Sequence, residues 1–227
     1  MIYPNIREAR FLRRPNRFIA IGELEGTETI CHVKNTGRCR ELLVPGARIY
    51  LQKASNPMRK TNWDLIAVQK GQRLINMDAA APNAVFGEWL RNGGAGFIPE
   101  LLKPESVHGD SRFDFYLEHQ MRRIFAEVKG VTLEEGGVVR FPDAPTERGV
   151  KHLRGLAAAV AEGFEAWAVF VIQMSDVKHF EPNRETHPAF ADALRDARNA
   201  GVRLLALDCS VTPESLAIRQ EVPIRLN

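Results

Sequence analysis

The feature that most restricts the fold is a change of rhythm near residue 80. Before it, six short segments rich in β-formers occupy residues 10–14, 17–24, 27–34, 47–55, 63–70 and 72–77. They are separated by Pro15-Asn16, Glu25-Gly26, Pro45-Gly46, Asn56-Pro57 and Lys70-Gly71, pairs that favour turns. Five or six short strands fall within fewer than 80 residues. They predict a small β-barrel, with an OB-like barrel as the leading candidate. After "AAAPN" (79–83) the pattern becomes mixed. A helix is expected over 83–93, a meander of strands over "KPESVHG", "SRFDFYLEH" and "RRIFAEVKGVTL", then helices over 146–163 and 187–201. Between and after those helices, 166–174 and 202–210 are nearly continuous apolar runs, as in strands buried on both faces. The expected organisation is an OB-like barrel at 1–80 and an α/β domain at 81–227, a sheet sandwiched by helices.

Charge follows the same division. Residues 1–78 carry fourteen Lys/Arg against seven Asp/Glu, whereas 79–227 carry seventeen against twenty-one. A basic barrel suits contact with a polyanion such as DNA. No apolar run reaches the ~18 residues a membrane helix needs, and the N-terminus lacks the apolar core of a secretory signal. Three cysteines without CxxC spacing argue against a disulfide framework or zinc site and fit a cytoplasmic location.

The stretch "SRFDFYLEHQMRRIFAEVKGVTL" (111–133) holds the candidate chemistry. Glu127 and Lys129, two apart on a strand, share a face. A hairpin centred between Gln120 and Met121 puts Asp114 opposite Glu127, at the ~5 Å spacing of opposed Cβ atoms. Two carboxylates so close repel unless a cation lies between them. Mg²⁺ or Mn²⁺ would resolve the conflict, with Lys129 beside it to orient water or offset phosphate charge, a grouping suited to phosphodiester hydrolysis. Their neighbours Phe113, Phe115, Phe125 and Val128 are apolar, so the charges are embedded. Gly130 permits close approach of another group. A solvated Glu-x-Lys pair beside a chance Asp is the plain alternative.

Other candidates are weaker. In "FPDAPTERGVKHLRG", Asp143 precedes a helix that Thr146 can cap; Glu147 and Lys151 can pair along it, and Arg148, Lys151 or His152 can reach a phosphate near its start. Glu88 is either an extra metal ligand or a surface residue. In the barrel, Arg13 and Arg14, with Lys34, Arg38 and Arg40 around Asn35-Thr36-Gly37, form the expected nucleic-acid surface, unless the latter is a plain turn. The remaining histidines show no ligand spacing. No recognition-helix motif is present, so binding is expected to be electrostatic and largely independent of base sequence.

Together, "HVKNTGRCRELLVPG", "SRFDF", "EVKGVTL" and "FPDAPTERGVKHLRGL" resemble the sugar fermentation stimulation protein family (SfsA) in order and spacing. The resemblance implies an N-terminal OB-like domain, a C-terminal PD-(D/E)XK nuclease-like α/β domain, DNA binding and a link to sugar, particularly maltose, utilisation. It maps the nuclease pattern onto Asp114, Glu127 and Lys129, with Glu88 as a further match, and places Asp143, Glu147 and His152 in a block particular to the family. Phe113 stands where the nuclease pattern has Pro. The resemblance also leaves room for a regulator that binds DNA without cutting it, since a fold does not dictate an activity. A small-molecule or nucleotide binder built on the barrel is a third reading.

Overall fold

The computed structural model describes every residue except Thr36, Pro57 and Asn227. Parts of two predicted turns, Asn35-Thr36-Gly37 and Asn56-Pro57, therefore lie outside the described residues. The N-terminal strands are β1 (Ile6–Asn16), β2 (Ile19–Leu24), β3 (Thr27–Val33), β4 (Arg48–Lys53), β5 (Trp63–Lys70) and β6 (Arg73–Asn76). β1 pairs with β2 and β4, β2 with β3, and β4 with β5, all antiparallel. A parallel β3–β5 pairing closes the five-strand barrel of an OB domain, and β6 extends β5. Inward residues such as Phe11, Ala20, Val33, Ile49, Leu51 and Leu65 are buried, which fills so small a barrel with side chains.

One predicted boundary is corrected. Pro15-Asn16 does not end β1, because register shifts near Arg13 and Asn16 carry the strand past the proline. The turn falls at Arg17-Phe18, where Asn16 Oδ1 accepts from Phe18 N at 2.9 Å and Ile19 N at 3.0 Å.

The rest of the chain comprises α1 (Ala81–Arg91), β7 (Leu101–His108), β8 (Ser111–His119), β9 (Arg122–Val131), β10 (Leu133–Glu135), β11 (Val138–Phe141), α2 (Glu147–Ala161), β12 (Glu165–Ile172), β13 (His179–Pro182), α3 (Pro188–Asn199), β14 (Arg203–Thr212) and β15 (Ser215–Glu221). The main sheet runs β15-β14-β12-β9-β8-β7, parallel at its centre and antiparallel at both sides. The small sheet β10-β11-β13 and edge strand β15 add to the expected elements. Strands of three or four residues carry too little alternation to be read, and "SLAIRQE" is too polar to announce itself.

Helices cover both faces of the main sheet. Val85, Phe86 and Leu90 of α1 pack against Phe115, Ile124 and Trp167. On the other face, Leu153 and Leu156 of α2 and Phe190 of α3 share a core with Phe113, Phe125 and Phe170. The α2 N-terminus is capped as predicted: Thr146 Oγ1 accepts from Gly149 N at 3.0 Å. Further along, Gly155 lets α2 sit close to β8, since a Cβ there would fall 2.5 Å from Ser111 Oγ.

Polar bonds join barrel and α/β sheet. Gln173 Nε2 donates to Asn76 Oδ1 and to the Asp78 carbonyl, both at 3.0 Å, and Lys34 Nζ donates to Asp78 Oδ2 at 3.0 Å. Lys70 and Arg73, flanking the β5–β6 turn, both pair with buried Glu134 on β10. At the start of the chain, Ile2 bridges Ser215 of β15. No described helix is long and apolar enough to cross a membrane.

Candidate active site

β8 and β9 pair from His119↔Arg122 to Phe115↔Ala126, about a centre between Gln120 and Met121, as the hairpin argument requires. The ladder stops one step short of Asp114 and Glu127. The β7–β8 ladder also skips Asp114, between Pro104↔Phe115 and Ser106↔Phe113, where Glu105 has φ +50°. Phe113 and Phe115, two apart on one strand, consequently pack into opposite cores. This local twist frees the Asp114 carboxylate to turn toward β9 and α1. Its Oδ2 accepts from Val128 N at 2.7 Å and its Oδ1 from Asn83 Nδ2 at 2.8 Å.

Glu127 is only 4% exposed. Its Oε1 receives both Lys129 Nζ and His152 Nδ1, whereas buried Oε2 has no hydrogen-bond partner. Burial and then the nearby Glu127 charge push the Asp114 carboxyl above its ordinary value. For Glu127, burial pushes upward, but hydrogen bonding to His152 and the charge of Lys129 outweigh it and hold the group below its usual range. One acid is thus raised by burial and a like charge while its neighbour is lowered, as when two acids share a site. Behind Lys129, a Cβ on Gly130 would stand 2.6 Å from Gln173 Oε1 and 2.7 Å from Pro82 Cγ, so only glycine admits these neighbours.

The structure brings Asp114, Glu127, Lys129 and His152 together, and Arg148 reaches the group through His152. It does not bring Glu88 there. Half-exposed Glu88 accepts from the Met1 ammonium instead, and the helical residue that touches Asp114 is Asn83, near the start of α1. A turn and a half of helix separates the two positions, so they point in different directions. Glu147 is also elsewhere, exposed and 3.3 Å from His187 Nε2. Asp143 faces the barrel, where a Cβ on Gly37 would fall 2.4 Å from its Oδ2. Lys151 is exposed on α2.

The predicted basic surface separates into framework and free charge. Arg13 forms a paired contact with Glu28 at 2.8 and 2.9 Å, and Lys34 is held by Asp78. Arg14 donates to the carbonyls of Arg17, Asn35, Gly37 and Arg38 at 2.7–2.9 Å, tying Asn35, Gly37 and Arg38 to the β1–β2 turn. With Arg17, Arg38 and Arg40 it lines a cavity of about 370 Å³ that has no acidic wall residue among the described residues. Arg17, missed in the sequence, lies 4.7 Å from the ring of exposed Phe18. Its signal was the run "RRPNR", whose last arginine falls at the turn rather than within a strand.

Among the described residues, no group of three or more His, Cys, Asp or Glu is arranged to hold a metal ion. What the site offers a hard cation is a pair of carboxylates, Asp114 and Glu127, with one buried oxygen unspent.

Known proteins share this architecture. Residues 12–77 match the family described as SfsA N-terminal OB domain, and residues 80–215 match the Sugar fermentation stimulation protein RE domain. The chain is similar to the sugar fermentation stimulation protein homolog of Desulfitobacterium hafniense strain DSM 10664 / DCB-2, with 59% identity covering 100% of this chain and 99% of that protein. It is 54% identical to the homolog of Clostridium beijerinckii, over all of both chains. The solved structure of Pyrococcus furiosus SfsA in complex with Ca²⁺ superposes with a TM-score of 0.89 at 27% identity, covering 99% of this chain and 98% of that one.

Proposed function

This chain belongs to the sugar fermentation stimulation protein family, and from that premise we propose that it binds DNA and carries a divalent-metal phosphodiesterase site of PD-(D/E)XK nuclease type. The observation that carries the reading is the unpartnered, buried Oε2 of Glu127 beside an Asp114 whose charge it disfavours. A buried carboxylate oxygen without a donor is costly and calls for a ligand. Mg²⁺ and Mn²⁺ fit that oxygen, because Mg²⁺ is commonly held by one or two carboxylates and keeps several waters, so a pair suffices. The relative from Pyrococcus furiosus was solved with Ca²⁺, another hard cation served by oxygen ligands.

Asp114 and Glu127 are the residues that would hold the ion. When bound, the ion supplies a Lewis acid for a phosphate oxygen and an acidified water. Lys129 keeps an ammonium at the edge of the pair, where it offsets negative charge gathering on a phosphate. Arg148 and Lys151, exposed near the start of α2, are placed to contact the strand's backbone. The arginine-lined cavity of the barrel supplies the sequence-independent grip, through phosphate neutralisation.

The test is incubation of wild type and Lys129→Ala with single- and double-stranded DNA and RNA in Mg²⁺ or Mn²⁺. Cleavage that needs both the metal and Lys129 supports the enzyme. The second reading, a DNA-binding regulator of sugar metabolism without catalysis, is favoured by one observation: both Asp114 oxygens and Glu127 Oε1 already have protein partners. DNA retention without cleavage in every arm would establish it.

A further inference from the structure

His152 is 6% exposed, wedged between α2 and the sheet. Its ring meets Arg148 at Nε2, and at Nδ1 both Glu127 Oε1 and, at 3.4 Å, the Lys129 Nζ. Arg148 Nε lies 3.3 Å from its Nε2. A guanidinium has only donors, so Nε2 presents its lone pair, and the acceptor oxygen of Glu127, much nearer to Nδ1 than the Lys129 ammonium, puts the hydrogen on Nδ1. The Nδ1–H faces Oε1 of Glu127, the oxygen that also receives the Lys129 ammonium. Two donors therefore converge on one carboxylate oxygen, while the other is buried and has none. A carboxylate held on one side cannot exchange its oxygens by rotating, so its free lone pairs keep a fixed direction.

We infer that His152 is a positioning residue: held in one tautomer by Arg148, it clamps Oε1 of Glu127 together with Lys129 and leaves Oε2 as the oxygen presented to a divalent cation. The inference rests on the metal reading above and assigns it a supporting arm on α2. Such supporting hydrogen bonds commonly alter metal affinity by about 10–100-fold. A histidine that merely filled space would owe nothing to its Nδ1–H.

Calorimetric titration of the full-length protein with Mn²⁺ alone, beside thermal melting of each variant, tests this. His152→Ala is expected to weaken Mn²⁺ binding by about 10–100-fold. His152→Asn, which puts an amide N–H where Nδ1–H stood, is expected to recover most of the loss. Arg148→Met, a change at an exposed side chain that spares the fold, is expected to weaken binding in the same direction. A folded His152→Ala with wild-type affinity, or a His152→Asn no better than Ala, overturns the inference and leaves the Asp114–Glu127 site standing. Should His152→Ala fail to fold, wild-type affinity in Arg148→Met overturns it. A wild type that takes up no Mn²⁺ overturns the metal site itself, and the clamp with it.

Discussion

Glu134 and Glu127 are almost equally buried, at 5% and 4% exposure, yet their surroundings differ in kind. Glu134 joins barrel to sheet and is saturated. Its Oε2 accepts from Lys70 at 2.9 Å, and its Oε1 from Gly137 N at 2.6 Å and Arg73 at 2.7 Å. Burial raises its carboxyl, but Lys70, Gly137 and Arg73 outweigh that and lower it. Glu127 receives two donors on one oxygen and none on the other, beside an acid of like charge. Burial alone therefore does not distinguish an acid spent on the fold from one with an oxygen to spare. The number of oxygens left without a partner does, because a fold gains nothing from desolvating an acceptor it leaves unpaired.

The largest effect should come from the unsaturated site. Lys129→Met is expected to lower metal-dependent cleavage about 100-fold, measured as single-turnover strand scission, without changing DNA affinity. Cleavage at the wild-type rate would make Lys129 a structural counter-ion, like Lys70. Next comes the saturated site. Glu134→Gln should destabilise the fold by about 2 kcal/mol in urea unfolding, below the usual cost of breaking a buried pair because Lys70 and Arg73 are 31% and 25% exposed. A neutral result would erase the contrast.

pH sharpens the comparison, because the two sites carry opposite signs. Glu134, lowered in the fold, contributes stability that is present above its ordinary value of 4.5 and lost as pH falls through its folded value. Asp114, raised in the fold, binds its proton more tightly when folded, so it costs stability increasingly as pH rises above its ordinary value of 3.8. Asp114→Asn should therefore match wild type in acid and exceed it at neutral pH, while Glu134→Gln falls below wild type at neutral pH and converges with it in acid. Parallel pH curves for the two variants would show that the fold does not raise the Asp114 carboxyl. The smallest effect belongs to the barrel. Arg38→Ala and Arg40→Ala should each reduce the slope of log affinity against log salt by about one, in filter binding to a random duplex, whereas Arg13→Ala, already neutralised by Glu28, should leave it unchanged.

Much of this was legible in the chain. Turn residues and alternation announced the barrel, and two apolar runs announced the central parallel strands β12 and β14. The two-residue period also placed Glu127 beside Lys129, and the symmetry of "SRFDFYLEHQMRRIFAEVKG" set the hairpin register. The partners of those acids were less accessible. Asn83 rather than Glu88 at Asp114, and Asp78 rather than a phosphate at Lys34, depend on how α1 and the barrel are set against the sheet. The short strands β10, β11 and β13 escaped notice because three or four residues carry little alternation and because β13 becomes a strand only by pairing with distant β11.

Local order in the sequence determined the two kinds of fold, the hairpin register and the sharing of one sheet face by an acid and an amine, since each follows from a period of two or of 3.6 residues. Tertiary structure alone decided which carboxylate oxygen would be spent and which left bare. That choice depends on α2 bringing His152 down onto Glu127 from 25 residues away, and on a twist in β8 at Asp114. Side-chain direction across packed layers is set by the close fit of whole elements, and no periodicity in the chain encodes it.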